Sequence, residues 1–268
     1  MTDTPSPNPP AGRIRVSSEQ GVGWVVLDNP RKHNAMSLAM WGALADALAG
    51  FAQDPAVRCV VLRGEGDKAF CAGADIAEKQ GKGAEQSAAD SQLSQRGLEA
   101  VHGFAKPVIA MIDGYCLGGG LALALACDMR ISATSGIFGI PAAKLGLAYN
   151  YNAIKRLTEL VGPAQARQIL FTADRLPAQR ALQLGLVNEV VEPDQLQDFV
   201  RAMAGRIAAN APLTIAAAKQ AIATAVSDAP GRDLAGCEER MRACLASDDY
   251  AEGRRAFQEK RAPVFQGR

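Results

Sequence analysis

Two short stretches of small residues carry the chemistry that this sequence could perform. One is Ala72-Gly73-Ala74, and the other is Gly118-Gly119-Gly120, inside the run KPVIAMIDGYCLGGGLALALACD from Lys106 to Asp128. The second run reads as a buried strand from Pro107 to Ile112, a glycine-rich turn, and a helix whose first turn holds the three glycines. Glycine weakens a helix, so three in succession need a reason. Residues without side chains at a helix N-terminus leave backbone N–H groups open to a ligand, and the helix dipole favours negative charge there. The alternative is that the glycines only let an apolar helix pack closely on its neighbours. The Ala72–Ala74 turn also follows a buried strand, so each stretch could aim one N–H at the same carbonyl oxygen. Two such donors stabilise a developing enolate or tetrahedral oxyanion, and losing one typically costs a factor of about 10² to 10³ in rate.

Several other kinds of chemistry are excluded. There is no GxxxxGK[ST] and no GxSxG, and a dinucleotide fingerprint starting at Gly118 fails because Leu123 stands where its last glycine belongs. His33 and His102 are the only histidines, so neither a metal site nor a nucleophilic triad is expected. The 29 basic and 28 acidic residues nearly cancel, which argues against a general nucleic-acid surface. The six cysteines show no CxxC spacing and several lie in apolar runs, as reduced cytoplasmic thiols would. No apolar run reaches membrane-spanning length, and the tail MTDTPSPNPPAG has four prolines and no apolar core of a signal peptide. A cytoplasmic protein with no membrane contact is expected.

The elements that must position the two turns alternate along the chain. Ile14–Val16 and Val22–Leu27 read as paired strands, and Ser37 reads as the N-cap of a helix to about Gln53. Val57–Leu62 is a continuous apolar run of the buried-strand type. The following RGEGDKAFCAGADI looks too irregular for regular structure, and Glu78–Gln95 is expected to be mobile or partly helical, leading into a helix that ends near Phe104. Strands are expected at Arg130–Ala133, Ile137–Ile140 and Gly185–Val191, with helices between them stopped by Gly162 and Gly185. From Pro193 the pattern is helical, with breaks near 210–212, 230–231 and 247–248. The chain therefore divides into a tail (1–12), a β/α core (13–192) and a helical C-terminal region (193–268).

Five segments, FCAGADI, DGYCLGGGLALALACD, FGIPAAKLGL, AQRALQLGLVNEVV and EGRRAFQEKRAPVF, together resemble the crotonase, or enoyl-CoA hydratase/isomerase, superfamily, in the right order from about residue 13 to the end. The resemblance implies an α/β spiral of repeated ββα units with a helical C-terminal trimerisation region. It implies homotrimers or dimers of trimers, an acyl-CoA thioester as ligand, and no tightly bound cofactor beyond coenzyme A as substrate carrier. The amides of Ala74 and Gly119 match the family's two oxyanion-hole donors. Lys32, with Arg31 beside it, and Lys260 match cations near the coenzyme. Ala72, Asp75 and Ile76 belong to the motif around the first donor and are candidates for cofactor contact, although Asp75 could equally brace its own loop.

One part of the family pattern is missing. Hydratases of this family carry glutamates two residues after the triple glycine and directly after the later proline, where this chain has Ala122 and Ala142. Hydration needs a carboxylate to activate water and a protonated partner to deliver a proton, and alanine can do neither. Ordinary hydratase turnover is therefore not expected. Tyr149 and Asn150, in LGLAYN, resemble a tyrosine-asparagine pair of the methylmalonyl-CoA decarboxylase branch, which implies either catalysis by Tyr149 without a base or an aromatic pocket wall. That branch has histidine where this chain has Ala74. Glu78 and Glu85 are candidates for a relocated acid, Lys144 for meeting a substrate carboxylate, and Asp128 for anchoring the glycine helix. The functional expectations are an enzyme acting through a thioester enolate, a decarboxylase of that kind, or a non-catalytic acyl-CoA-binding protein.

Overall fold

The computed structural model describes residues 12–75, 78 and 84–268. The expectations placed on residues 1–11 and on Ile76 lie outside the described residues. Strands β1 (Arg13–Glu19) and β2 (Val22–Asp28) pair antiparallel through a two-residue turn at Gln20 and Gly21, whose positive φ values match the twist of a tight hairpin. Helix α1 (Leu38–Gln53) begins where the Ser37 hydroxyl accepts the Met40 N–H, and buries Met40, Trp41, Leu44, Leu48 and Phe51.

Three strand-strand-helix turns follow. The first is β3 (Cys59–Gly64), β4 (Ala69–Cys71) and α2 (Ala84–His102). The second is β5 (Val108–Ile112), β6 (Tyr115–Leu117) and α3 (Gly119–Ala126). The third is β7 (Met129–Ala133), β8 (Ile137–Gly139) and α4 (Tyr151–Thr172), the last kinked at Gly162 where Pro163 follows. Strand β9 (Leu176–Pro177), helix α5 (Ala178–Gln183) and strand β10 (Glu189–Val191) close the core. Helices α6 (Leu196–Ala209), α7 (Pro212–Val226), α8 (Leu234–Leu245) and α9 (Asp248–Glu259) complete the chain.

The first strand of each turn joins a six-stranded sheet of order β1-β2-β3-β5-β7-β10, and the second joins a four-stranded sheet of order β4-β6-β8-β9. Pairing is parallel except at β1–β2 and β8–β9. This is the expected spiral of ββα units with helices at its C-terminal end. Its strands read as unbroken apolar runs because both faces of the larger sheet are covered. Cys59, Val61, Ile109 and Met111 pack with Leu196, Val200 and Ala204 of α6, while Val60, Leu62, Val108 and Ala110 face the core shared with α1 and α3.

One expectation is corrected and another is narrowed. The segment after β3 contains strand β4, which pairs with β6; a strand this short leaves little periodic signature. Of the stretch expected to be mobile or partly helical, residues 84–95 belong to the continuous helix α2. Tertiary packing stabilises this polar helix: Gly97 lies so close to Trp41 of α1 that a Cβ there would approach the indole to 2.7 Å.

The chain end folds back onto α9. Buried Asp249 accepts the N–H groups of Gln266 (2.6 Å) and Gly267 (2.8 Å). Glu252 accepts the Val264 N–H and a two-pronged contact from Arg261, with Arg255 alongside, and these donors hold its carboxyl down at about 2 from an ordinary 4.5. A depressed carboxylate pKa gives stability that is complete above the unfolded value and lost as pH falls through the folded one. Glu252→Gln is therefore expected to lower the unfolding temperature at neutral pH, and the gap from wild type should close as pH falls from about 4.5 to about 2. Thermal melts across that window check it; a gap that stays constant would remove Glu252 as the tail's anchor.

Candidate active site

The two small-residue turns meet. From β4 the chain passes through Ala72, whose N–H donates to His33 O (2.9 Å), to a single parallel bridge between Met36 and Ala74. In that bridge the Met36 N–H donates to Gly73 O (2.8 Å) and the Asp75 N–H to Met36 O (2.9 Å). The flanking groups face Met36, so the N–H of Ala74 itself points the other way. On that side lies the start of α3. A Cβ built on Gly119 would stand 3.3 Å from Ala74 N, and one on Gly73 would stand 3.5 Å from Gly119 N.

The N-terminus of α3 supplies the second donor. Gly118 is its N-cap, with its N–H on Gly139 O (2.9 Å) and its carbonyl accepting the Ala122 N–H (3.0 Å). Gly119 is the first helical residue, where an N–H has no intrahelical acceptor. Neither the Ala74 nor the Gly119 N–H finds a backbone acceptor among the described residues. Close approach explains the glycine that follows: a Cβ on Gly120 would lie 2.1 Å from Cys71 O, so only glycine lets β4 and α3 come this near. Gly73, at φ 116°, takes a backbone conformation that side chains disfavour. Close packing thus requires glycine at position 120, whereas the N–H without a backbone acceptor among the described residues is that of Gly119.

At the far end of α3, buried Arg130 donates to Ala124 O (3.3 Å), Cys127 O (2.9 Å) and Leu186 O (2.8 Å), which places a cation at the helix's negative pole. Asp128 accepts from the Val108 N–H and from Lys219, anchoring the exit of the helix. Burial pushes the thiols of Cys71 and Cys127 up to about 12, so neither is a thiolate nucleophile at neutral pH.

The other sequence-selected residues fall into distinct places. Ala122 is buried on the first turns of α3, and Ala142 and Tyr149 pack against the same core. The Tyr149 hydroxyl donates to Gly118 O (2.8 Å), and burial raises its pKa. Asn150 spends its side chain as N-cap of α4, accepting from Asn152 and Ala153. Lys32 reaches Asp75 (2.5 Å), so Asp75 braces the loop through an ion pair. Both line a cleft of about 390 Å³ with Arg31, Ser37 and Glu78. Glu78 accepts the Leu38 N–H at the start of α1. Glu85 lies on α2, and its side chain is outside the described residues. Lys144 Nζ donates to Ala173 O (2.9 Å) at the end of α4. Lys260 is the exposed C-cap of α9, with no ion pair among the described residues.

Sequence reasoning missed Asp90. This carboxylate on α2 is 5% exposed, accepts from Gln86 (3.2 Å), and lines a water-sized cavity with Ala74, Glu78 and Ser94. It sits in a polar stretch without periodicity, so no sequence signal marked it. Arg130 did leave a signal, as the one charge in the strand MRISA.

Known proteins match the chain along nearly its whole length. The family described as enoyl-CoA hydratase/isomerase matches residues 17–268. The chain is 36% identical over 252 residues to a crotonyl-CoA hydratase of Syntrophomonas wolfei, covering 94% of this chain and 97% of that protein. It is likewise 36% identical over 252 residues to a carnitinyl-CoA dehydratase of Salmonella typhi, covering 91% and 94%. A solved enoyl-CoA hydratase/carnithine racemase from Magnetospirillum magneticum superposes with a TM-score of 0.90 at 40% identity, over 95% of this chain and 96% of that one. The local resemblance to the decarboxylase branch receives no specific support from these comparisons.

The close contact at Gly120 yields a test of how the turns are held. Gly120→Ala must displace either β4 or α3, and overpacking of this kind typically costs about 1–3 kcal/mol. Denaturant unfolding is expected to show that loss, whereas Gly205→Ala, where no heavy atom lies within 4 Å of the new Cβ, should be neutral or stabilising.

Proposed function

The chain belongs to the enoyl-CoA hydratase/isomerase family, and on that footing we propose that it generates and holds the enolate of an acyl-CoA thioester between the N–H groups of Ala74 and Gly119. The convergence of these two donors carries the reading. A thioester oxygen seated between them gains negative charge as the α-carbon loses a proton or a carboxylate, and both hydrogen bonds strengthen as it does so. Fixed donors in a site shielded from water need no reorganisation at that moment.

Proton transfer follows a different arrangement from that of the two-glutamate hydratases. Ala122 and Ala142 hold no proton, so hydration or dehydration, the chemistry named for the relatives, requires a carboxylate from elsewhere. Glu78 and Asp90, which border the cavity beside Ala74, are the proton carriers in this proposal. Their proximity to Ala74 supports them over Tyr149, whose hydroxyl is committed to Gly118 O. Decarboxylation would need no base, because loss of CO₂ leaves its electron pair on the α-carbon, and malonyl-type thioesters therefore belong in the substrate test. The coenzyme would lie along the cleft of Arg31 and Lys32, with Asp75 holding Lys32 in place. Exposed Leu234, Met241, Leu245 and Phe257 on α8 and α9 support assembly into trimers or dimers of trimers. Free cysteines support a cytoplasmic location, and no tightly bound cofactor enters the scheme.

A panel of enoyl-, hydroxyacyl- and malonyl-type CoA thioesters, followed by mass spectrometry, tests the reaction. Turnover of at least one is expected, and Ala74→Pro, which deletes one donor, should reduce it about 10²-fold or more. Asp90→Asn or Glu78→Gln should lower proton-dependent turnover by about 10²-fold for whichever group carries the proton. Activity unaffected by Ala74→Pro would overturn the oxyanion assignment. Tight acyl-CoA binding with no product from any thioester would leave the chain a binding protein.

A further inference from the structure

The two donor N–H groups are each part of a peptide whose carbonyl faces the opposite way. The Ala74 N–H shares its peptide plane with Gly73 O, and the Gly119 N–H shares its plane with Gly118 O. Each carbonyl is hydrogen-bonded from behind by one backbone N–H and one side chain. Gly73 O accepts the Met36 N–H at 2.8 Å and the Cys71 thiol at 3.5 Å. Gly118 O accepts the Ala122 N–H at 3.0 Å and the Tyr149 hydroxyl at 2.8 Å. A hydrogen bond to a peptide carbonyl draws electron density toward its oxygen and leaves the N–H on the same plane more positive. Such chains strengthen each member by roughly 10–30%.

We propose that Tyr149 is a positioning residue that works through the Gly118–Gly119 peptide, polarising and orienting the Gly119 N–H as an oxyanion donor, with Cys71 doing the same more weakly for Ala74. This rests on the reading of Ala74 and Gly119 as the enolate site. Tyr149 thereby acts on the reaction without exchanging a proton with the substrate. Its reach is set by the fold: the ring packs on the core, and the hydroxyl crosses to the N-cap of α3 next to the Ala122 N–H. Both of the Gly118 carbonyl's lone pairs are then occupied, which fixes the tilt of the peptide as well as its polarity.

Tyr149→Phe removes only the hydroxyl, and Tyr149→Leu also removes aromatic packing. The direct readout is the carbonyl stretch of crotonyl-CoA labelled with ¹³C at the thioester carbon, measured by difference infrared spectroscopy on the bound form. In the wild type the stretch should fall below its value in water. In Tyr149→Phe it should return by roughly 10–30% of that displacement, with crotonyl-CoA affinity unchanged within about twofold. On a thioester that turns over, kcat should fall about two- to fivefold while KM holds. Cys71→Ala should give a smaller return in the same direction. A stretch identical in Tyr149→Phe and wild type would overturn the inference, as would a return seen only in Tyr149→Leu, which would make the ring a packing element. Failure of the underlying enolate reading looks different: the wild-type stretch would not move on binding, or Ala74→Pro would leave it unmoved. Thermal melts of each variant show whether it is folded, and should Tyr149→Phe be unfolded, Cys71→Ala decides by the same spectrum.

Discussion

The first N–H groups of a buried helix have no partner in their own helix, and most of this molecule is arranged around that fact. From Gly120 to Ala126 every residue of α3 is buried, while Gly118 and Gly119 at its start are half-buried, so its first N–H groups stand at the edge of the core. A buried polar group left unpaired costs about 1–3 kcal/mol. Among the described residues neither the Gly119 N–H nor the Ala74 N–H beside it has a backbone acceptor, and in the proposed function the pair serves one oxygen that carries negative charge. Arg130 completes the other pole of the helix by binding carbonyls near its C-terminus.

The ββα spiral explains how two loops distant in sequence meet. Each turn of the spiral sends one strand to the large sheet and the next to the small one, so β4 and β6 are neighbours and the segments that leave them emerge side by side. The Met36–Ala74 bridge then fixes the rotation of the first loop, and the Gly118–Gly139 bond fixes that of the second. Both donors are thus set by backbone pairing, which no side-chain substitution removes directly. This separates the hole, built from main chain, from the proton-transfer groups, which are side chains and free to change. Alanine at positions 122 and 142 is one result of that freedom.

Much of the fold and half of the site were legible in the residues. Ser37 announced α1, the apolar runs at Val57–Leu62 and Pro107–Ile112 announced central strands, and Gly162 with Pro163 announced the break in α4, because capping, burial and backbone restriction act locally. The smaller sheet was largely hidden: the run at Ile137–Ile140 announced β8, but β4, β6 and β9, of two or three residues, are specified by pairing with their neighbours. Helix α2 was also obscured, because packing against Trp41 stabilises it more than its own composition does. In the candidate site, the small residues at Ala72–Ala74 and Gly118–Gly120 marked the two turns that the fold brings together. The functions of Asn150 and Glu78 were hidden because each supplies an acceptor to a helix start, a partnership that depends on where α4 and α1 begin in space.

Removing both glutamates also changes the electrostatics of the hole. A carboxylate that stays ionised beside a developing enolate would raise its energy by like-charge repulsion. Here α3 presents only neutral donors to the ligand, and the acidic side chains stand behind Ala74, with Asp75 balanced by Lys32 and Glu78 at the positive start of α1. Negative charge is therefore kept on one side of the hole and polarised N–H groups on the other. In the proposed reaction a thioester oxygen gaining charge would meet the donors first, and a proton carried by Glu78 or Asp90 would arrive from the cavity they line with Ala74. On that reading the direction of proton delivery, more than the strength of the hole, is where this chain departs from the two-glutamate arrangement.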